Sequence, residues 1–284
     1  MSLKSIKTPL RYPGGKSKAS TKMDQYFPDF SKYKEYREPF LGGGSVAIHI
    51  TKNYPKLKVW VNDLYEPLYN FWVQLQSNGE EMSRSLKILK STYSTPHKAQ
   101  GLFLESKEIV NDTDAKDQDR AIAFYIVNKC SFSGLTEGSS FSSQASDSNF
   151  SVRGIEKLPA YEYLIRDWSI TNLSYEHLGS DEDNVFIYAD PPYNIKDNLY
   201  GHKGDMHKGF DHAKFADIMD EQLCNVMISY NNHPDIVERF LEWHQYDFAH
   251  TYTMRSTGTY MIDQTKRREL ICLNYGKYRS QSVA

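Results

Sequence analysis

The hydrophobic and polar positions of the chain follow two different periods. Short runs of β-branched and aromatic residues occur near both ends, as in LKVWVN at residues 57–62. Elsewhere apolar residues recur at helical spacing, as in SVAIHITKN at residues 45–53. An extended segment at residues 33–40 leads through glycines into this helical pattern and then into the run at residues 57–62. Such a strand–helix–strand unit predicts a parallel α/β sheet.

The middle of the chain has a different character. Three helical patterns joined by polar turns lie at residues 78–91, 99–110 and 117–130. A stretch rich in Ser and Gly follows at residues 131–151, and this composition is typical of a solvated loop. We therefore predict a mostly helical insertion at residues 71–169.

The strand-like pattern resumes after the insertion. Apolar runs of strand length lie at residues 168–175, 184–190, 225–230 and 269–275. Helical patterns at residues 211–223 and 233–244 separate some of them. The simplest organisation is a sheet domain made of residues 1–70 and 170–284, interrupted by the helical insertion.

Composition excludes several classes of protein. The chain has 284 residues, 39% of them hydrophobic, and suits one large domain or a domain with a sizeable insertion. No apolar run approaches the ~20 residues of a membrane span, and no secretory signal is visible at the N-terminus. Three widely spaced cysteines form no disulfide or metal pattern, so we expect a cytoplasmic protein that is not secreted. The formal net charge of -2 does not favour a nucleic-acid partner, although a local basic patch remains compatible with one.

A glycine turn marks the first candidate site. Gly42, Gly43 and Gly44 stand between a predicted strand and a predicted helix, and Asp63 ends the next strand about 20 residues later. An acid at that position can bind both ribose hydroxyls of a nucleoside. The glycines do not fit the dinucleotide pattern, because position 47 is Ala47. The turn suits a nucleoside cofactor without pyrophosphate, such as S-adenosylmethionine, and a strand–helix turn without ligand remains the alternative.

A second glycine pair lies upstream, in RYPGGK at residues 11–16. Lys16 follows the glycines and suits an anionic ligand group, either a carboxylate or a phosphate, and a surface turn is the alternative. The full phosphate-binding loop of nucleotide triphosphatases requires a glycine where Leu10 stands. We therefore expect no triphosphatase.

The sequence DPPY, at residues 190–193, follows the apolar run NVFIYA. Ligands of open α/β sheets bind beyond the carboxyl ends of the strands, which places Asp190 and Tyr193 beside the glycine turn. The Asp190 carboxylate and the Pro191 carbonyl can each accept a hydrogen from an exocyclic amine, and Tyr193 can stack on a base. The alternative is a strand end stiffened by Pro191 and Pro192.

Together these motifs resemble the Dam-like family of DNA adenine-N6 methyltransferases, and they stand in the order of that family. Three further segments are similar to segments of the family: NKCSFSGL at residues 128–135, VMISYNN at residues 226–232 and RRELICLNY at residues 267–275. The resemblance implies a Rossmann-like, mostly parallel seven-stranded methyltransferase sheet with a terminal β-hairpin, plus an inserted helical target-recognition domain. It also implies methyl transfer from S-adenosylmethionine to the N6 amine of an adenine flipped out of double-stranded DNA.

The resemblance assigns the site residue by residue. Asp63 would bind the ribose hydroxyls, and Asp190 would lie near both the methionine amino group and the target amine. The residues implied in cofactor binding are Tyr12, Lys16, Phe40, Gly42, Gly44, Ser45, Asp63 and Asp190. The catalytic motif comprises Asp190, Pro191, Pro192 and Tyr193.

Contacts with DNA are expected from several polar residues of the insertion and of the loop after the catalytic motif. These are Asn128, Lys129, Ser133, Thr136, Arg153 and Lys208. Glu137 stands where relatives that read GATC often carry an arginine, the usual reader of guanine, so the recognition sequence stays open. Gly43 replaces an alanine that is common in the family, and we expect little effect from that difference.

Other functions stay open or are disfavoured by single features. Methylation of cytosine N4 uses similar chemistry, and an inactive DNA-binding relative would keep the fold. Asp190 disfavours methyltransferases acting on RNA or protein amides, which usually carry asparagine at this position, and the glycine spacing disfavours a NAD-dependent oxidoreductase. The His-rich stretch at residues 200–212 has no standard zinc spacing, so we expect no metal. We expect a monomer in solution, and whether a restriction nuclease accompanies the protein stays open.

Overall fold

The computed structural model describes residues 6–12, 15–17, 20–132, 138–193, 209–249 and 268–276. Within these residues the chain forms one seven-stranded sheet with helices around it. The strands are β1 (Glu35–Glu38), β2 (Lys58–Asn62), β3 (Ser169–Thr171), β4 (Val185–Ala189), β5 (Asn225–Asn231), β6 (His244–Ala249) and β7 (Arg268–Leu273).

The sheet is mostly parallel and ends in an antiparallel hairpin. Its spatial order is β3-β2-β1-β4-β5-β7-β6. The neighbours from β3 to β5 pair in parallel, whereas β7 pairs antiparallel with both β5 and β6. This confirms the predicted seven-stranded sheet with its terminal hairpin.

The centre of the sheet fixes the place of the candidate site. All five residues of β4 are buried, as are the five central residues of β5, which explains their continuous apolar runs. From β1 the chain first builds the sheet toward β3 and later continues from β4 in the other direction. The reversal lies between β1 and β4, where open α/β sheets bind their ligands.

Helices precede, connect and follow these strands. Their bounds are α1 (Ser20–Met23), α2 (Ser45–Asn53), α3 (Glu66–Thr92), α4 (Pro96–Val110), α5 (Asp117–Cys130), α6 (Ser143–Ser148), α7 (Val152–Ile155), α8 (Leu158–Ile165), α9 (His212–Asp220) and α10 (Pro234–Arg239). Two short 3-10 helices lie at Phe30–Lys32 and Tyr175–Leu178. The helices from α3 to α8 occupy the segment between β2 and β3, where the insertion was predicted.

Helix α3 begins earlier than the sequence pattern predicted. It starts at Glu66 with Pro67 in its first turn, where the missing proline N–H has no intrahelical partner to lose. It kinks at Asn78, and the following Gly79 lies so close to α8 that an added methyl would stand 3.0 Å from the Leu158 carbonyl oxygen. The helix crosses the predicted boundary at residue 70, and its buried face shares one hydrophobic cluster with the sheet. The domain boundaries themselves stay a prediction.

The helix predicted at residues 233–244 is wrong in its second half. Helix α10 ends at Arg239, and strand β6 begins at His244. The Gln245 side chain donates to the carbonyl oxygens of Val237 and Phe240, at 2.9 and 2.6 Å. Carbonyls at a helix end need such partners, and this contact closes the helix before the turn into β6.

The strand predicted at residues 168–175 is also shorter than expected. Only Ser169–Thr171 pairs with β2, because the side chain of Asn62 then bonds both backbone groups of Leu173. Those two bonds, at 2.9 and 2.8 Å, take the place of the sheet ladder and turn the chain away from the sheet.

The Ser- and Gly-rich stretch is not a solvated loop throughout. Residues Ser143–Ser148 form α6, and the side chain of Ser142 accepts from the Ala145 N–H at its start. Phe150 is buried beyond the helix, and Lys90 donates to the Ser146 carbonyl at 2.7 Å. Serine favours helix starts as much as loops, so composition alone misassigned this part.

The described residues contain no helix that is long and apolar enough to cross a membrane.

Candidate active site

The predicted site residues lie at the carboxyl ends of neighbouring strands. The glycine turn follows β1, Asp63 follows β2 and Asp190 follows β4. Because β2, β1 and β4 are adjacent and parallel, their carboxyl ends share one edge of the sheet. The sequence prediction that these motifs meet at one edge therefore matches the geometry.

Lys16 lies at the centre of this edge and is almost completely buried, with 2% of its side chain exposed. Its Nζ lies 2.9 and 2.8 Å from the two carboxylate oxygens of Asp190. The same nitrogen donates to the Tyr193 hydroxyl at 2.7 Å and lies 3.4 Å from Oε1 of Glu269. The sequence predicted an anionic ligand group for Lys16, whereas in the structure the Asp190 carboxylate of the chain itself bonds the ammonium.

Asp190 is held from two sides and still reaches the surface. The Ser229 hydroxyl donates to its Oδ1 at 2.9 Å, and the Tyr188 and Ser229 hydroxyls are themselves 2.8 Å apart. Ser229 and Tyr188 are buried, whereas 21% of the Asp190 side chain is exposed. The carboxylate is therefore fixed in position with an accessible side.

The charges in this cluster act on one another. Burial alone would lower the pKa of Lys16, but the neighbouring Asp190 and Glu269 carboxylates outweigh it and raise that pKa. Burial raises the pKa of Asp190, Lys16 opposes the shift and Glu269 adds to it. Lys16 therefore stays charged, and its attraction keeps the pKa of Asp190 below the value that burial alone would give.

Tyr193 connects the catalytic motif to the terminal hairpin. Its hydroxyl donates to Oε1 of Glu269 at 3.0 Å while it accepts from Lys16. Its ring stacks on the buried Tyr230, with centroids 6.0 Å apart. Both ends of the Tyr193 side chain are thus restrained by residues of β5 and β7.

The glycine turn is shaped by two aromatic side chains. Gly42 and Gly44 have positive φ angles of 49° and 66°, which favour glycine. A methyl on Gly42 would stand 2.9 Å from the Tyr12 ring, and one on Gly44 would stand 2.7 Å from the Trp72 ring. The Trp72 indole N–H also donates to the Gly42 carbonyl at 3.1 Å.

Gly43 is more constrained than the sequence comparison suggested. A methyl there would stand 2.9 Å from Cβ of Tyr12, and the Gly43 carbonyl accepts a bond from the Thr8 hydroxyl. The expectation that Gly43 and alanine are interchangeable therefore does not fit this chain, because an alanine requires Tyr12 to move.

Asp63 holds the turn in place. Its Oδ2 accepts from the Gly42 N–H at 2.8 Å, and its Oδ1 accepts from the Tyr65 N–H at 3.0 Å. Burial raises its pKa to about 6, and the two N–H groups oppose that shift. Each carboxylate oxygen can accept more than one hydrogen bond, so the group can also receive a ligand hydroxyl.

Two further hydrogen-bonded pairs lie close to the glycine turn. Ser17 Oγ lies 2.9 Å from Ser45 Oγ at the start of α2, one residue after Lys16 reaches Asp190. Glu38, at the end of β1, is buried and accepts a 2.6 Å bond from the Tyr36 hydroxyl. Burial raises the pKa of Glu38 well above its ordinary value.

Phe40 lies in an aromatic cluster beside this edge. Its ring centroid lies 5.4 Å from Tyr175 and 5.8 Å from both Phe210 and Phe215. Phe40 and Phe210 are partly buried, and they continue the apolar surface beyond the glycine turn. This surface offers a flat ligand an aromatic wall.

The residues predicted to contact DNA are placed differently from one another. Asn128 is buried, and its side chain bonds both backbone groups of Arg11 at 2.9 and 2.6 Å. Lys129 lies over the Tyr125 ring, 5.3 Å from its centroid, and Arg153 is exposed on α7. Ser133, Thr136 and Lys208 lie outside the described residues.

Lys129 has an unusual environment for a lysine. Burial lowers its pKa to about 7, and the positive charges of Arg11 and Lys157 add to the effect. Arg11 itself is fixed, because it donates to the carbonyls of Ser131 and Phe132 at 2.7 and 3.2 Å. Three cations thus lie near the end of α5.

Sequence reasoning missed Glu269, Ser229 and Glu38 as parts of the site. Glu269 had one visible signal, since it is a charged residue directly before the apolar run LICL. A buried charge in a strand requires a partner, which points to an ionic cluster. Its partners are 76 or more residues away in sequence, so the run alone did not identify them.

No group of three or more metal-ligating side chains occurs among the described residues.

Fold and site together define a methyltransferase of the α/β class: a seven-stranded sheet with a terminal hairpin, and a DPPY motif facing a glycine turn. The model of the D12 class N6 adenine-specific DNA methyltransferases matches residues 12–256. The chain belongs to this family and is an enzyme that methylates DNA at adenine N6.

Curated relatives agree with the family assignment. The chain is 24% identical over 286 residues to the type II methyltransferase M1.LlaDCHI of Lactococcus lactis subsp. cremoris, an alignment that covers 94% of each protein. It is 23% identical over 200 residues to the type II methyltransferase M.MjaIII of Methanocaldococcus jannaschii, covering 66% of this chain and 69% of the relative.

Proposed function

We propose that this enzyme transfers a methyl group from S-adenosylmethionine to the N6 amine of an adenine flipped out of double-stranded DNA. The observation that carries the proposal is the exposed side of the Asp190 carboxylate, fixed by Lys16 and Ser229 beside the glycine turn. When bound, the cofactor supplies an electrophilic methyl group. The rest of the reaction depends on how this chain holds the adenine amine.

The residues present fit S-adenosylmethionine. The Asp63 carboxylate suits two ribose hydroxyls, and the aromatic surface at Phe40 suits an adenine ring. The glycine turn, which Tyr12 and Trp72 shape, lets a ligand approach the main chain closely. Tyr12, Gly42, Gly44 and Ser45 line the turn in this proposal, and Lys16 acts through Asp190.

The amine is oriented by two acceptors. In the proposed complex, Asp190 accepts one hydrogen of the N6 amine and the Pro191 carbonyl accepts the other, so that the nitrogen lone pair faces the methyl group. Pro191 and Pro192 have no N–H to compete for these acceptors, and they keep the motif rigid. Tyr193 stacks on the adenine. The gain comes from positioning and from electrostatics, without a covalent enzyme–base intermediate.

Base flipping follows from the geometry of DNA. The N6 amine of a paired adenine lies within the duplex, so the base must leave the stack to reach a pocket at a sheet edge. Lys129 and Arg153 are proposed to hold phosphates on this approach. Ser133, Thr136 and Lys208 are proposed as further DNA contacts.

A methyl-transfer assay tests the proposal. The enzyme is incubated with mixed-sequence duplex DNA and radiolabelled S-adenosylmethionine, and the nucleosides are then separated by mass. We expect the wild type to produce N6-methyladenine and Asp190→Ala to lose at least ~100-fold of the methyl-transfer rate. The control is Asp181→Ala, which changes an exposed aspartate before β4, and we expect it to keep wild-type activity. Equal incorporation by wild type and Asp190→Ala would contradict the role of the motif, and N4-methylcytosine would indicate the other exocyclic amine.

A further inference from the structure

Among the described side chains of the terminal hairpin, Glu269 alone joins the ionic cluster of Lys16 and Asp190. This cluster lies at the sheet edge that carries the glycine turn and the DPPY motif, called here the catalytic edge. It lies on β7, its exposed fraction is 0%, and its Oε1 receives the Tyr193 hydroxyl at 3.0 Å. The same oxygen lies 3.4 Å from Nζ of Lys16. Lys16 is therefore shared between Glu269 and Asp190.

We propose that Glu269 is a positioning residue for methyl transfer, which shares Lys16 with Asp190, fixes the Tyr193 hydroxyl and adds a negative charge to the cluster of Lys16, Asp190 and Glu269. This inference rests on the proposed function, because it assigns the charge a role toward the methyl donor and the target amine. Glu269 acts through Lys16 and Tyr193 and does not touch the substrate.

The charges of the cluster support this role. One ammonium, Lys16, faces two carboxylates, Asp190 and Glu269, so the three groups together carry one negative charge. Glu38, a further buried acid near Asp190, has a pKa that burial raises well above its ordinary value. If Asp190 alone faced Lys16, the pair would be neutral, and Lys16 would bind both Asp190 oxygens without competition from Glu269.

A net negative charge on this three-residue cluster fits the chemistry of the reaction. The methyl donor carries a positive sulfonium, and the product of transfer is a neutral thioether. The positive charge moves with the methyl group to the adenine amine, which then loses a proton to solvent. A fixed negative charge stabilises the cation before and during transfer without reorganising.

Tyr193 receives its orientation from the same residue. Its hydroxyl accepts from Lys16 and donates to Glu269, so its single proton has one defined direction. The ring is then held between this pair and Tyr230, in the position where the adenine is proposed to stack. Loss of the Glu269 acceptor would release the hydroxyl end of the ring.

Binding without DNA provides the first test. Isothermal titration compares S-adenosylmethionine, which carries a net positive charge, with S-adenosylhomocysteine, a zwitterion without net charge, for the wild type and Glu269→Gln. We expect the preference for the charged ligand to fall by roughly tenfold in Glu269→Gln, because the variant keeps the size of the side chain and removes its charge. Equal weakening of both ligands, or of neither, would overturn the inference.

Two variants separate charge from structure. Glu269→Asp keeps the charge on a shorter side chain, and we expect it to retain the ligand preference even where its activity falls. Glu35→Gln removes a carboxylate at the far end of β1, and we expect it to leave the preference unchanged. A lost preference in Glu269→Asp also contradicts the proposal, so the test holds where Glu269→Gln does not fold.

The pH dependence of the rate gives an independent readout. The titratable groups facing Glu269 are Lys16, Asp190, Tyr193 and Tyr188. Because Glu269 contributes to the raised pKa of Asp190, we expect the acid limb of the kcat/KM profile to move to lower pH in Glu269→Gln. A reduced rate with an unmoved acid limb indicates a merely structural role. A wild type that does not methylate adenine contradicts the proposed function instead.

Discussion

Removal of the Lys16 ammonium is the sharpest test of the buried cluster. The variant Lys16→Met keeps the apolar stem and eliminates the charge that lies 2.8 Å from Asp190 and 3.4 Å from Glu269. Two carboxylates then share a buried site without a cation. Breaking a buried ion pair from one side costs about 3–5 kcal/mol, because the remaining charge is desolvated without compensation.

The loss of stability should depend on pH. The pKa of Lys16 is raised above 10.5, so in the wild type its ammonium carries its full charge at both pH 5 and pH 8. In the variant, Asp190 loses the group that opposes its raised pKa, so the carboxyl takes up a proton more readily. We therefore expect the full loss of about 3–5 kcal/mol at pH 8 and a smaller loss at pH 5.

Urea unfolding at the two pH values measures this difference, with tryptophan fluorescence as the signal. Lys90→Met is the matched control, since Lys90 donates to the Ser146 carbonyl and lies over the Phe150 ring, both uncharged. The control should lose the same free energy at pH 5 and pH 8. Equal losses for Lys16→Met at both values would refute the claim that Lys16 neutralises buried carboxylates.

Three further results are expected from other parts of the structure. The affinity for S-adenosylmethionine, measured by titration calorimetry, should fall as the pH drops through about 6, because Asp63 then protonates, and it should be flat in Asp63→Asn. The variant Gly44→Ala should lower the midpoint of thermal unfolding, because the alanine must adopt a positive φ and its methyl would contact Trp72. The control Gly101→Ala places a methyl in open space on α4 and should raise the midpoint slightly. Because the pKa of Lys129 is about 7, this lysine carries more positive charge at pH 6 than at pH 8. If it holds a phosphate, labelled duplex DNA should bind more tightly at pH 6 at constant salt, and Lys129→Met should reduce the difference between the two pH values.

The sequence was sufficient for the parts of the site that follow strand ends. Strand-length apolar runs, separated by helices, predicted parallel pairing, and parallel strands bring their carboxyl ends to one edge. Asp63 and Asp190 could therefore be assigned to one mouth before any coordinates. The glycine turn was placed there for the same reason.

The rest depended on contacts that no local pattern contains. The sequence suggested only an anionic ligand group for Lys16, because its pairing with Asp190 spans 174 residues. Glu269 lies at the site because β7 lies antiparallel between β5 and β6. The apolar run LICL does not indicate this place of the strand in the sheet. Asn128 was predicted from a family segment to contact DNA, whereas in this structure its side chain holds the backbone of Arg11.

Several of these contacts are made by residues near the N-terminus, at positions 11, 12, 16 and 17. Arg11 is bonded to the end of α5, Tyr12 packs on the glycine turn, Lys16 bonds Asp190 and Ser17 lies against Ser45. Residues 11, 12, 16 and 17 together therefore contact the helical region, the glycine turn and the DPPY motif. Since the sheet alone fixes only strand ends, the distances among these three parts depend on these residues as well. A buried lysine, which would be costly elsewhere, is tolerated here because it fixes Asp190 to the same segment that shapes the turn.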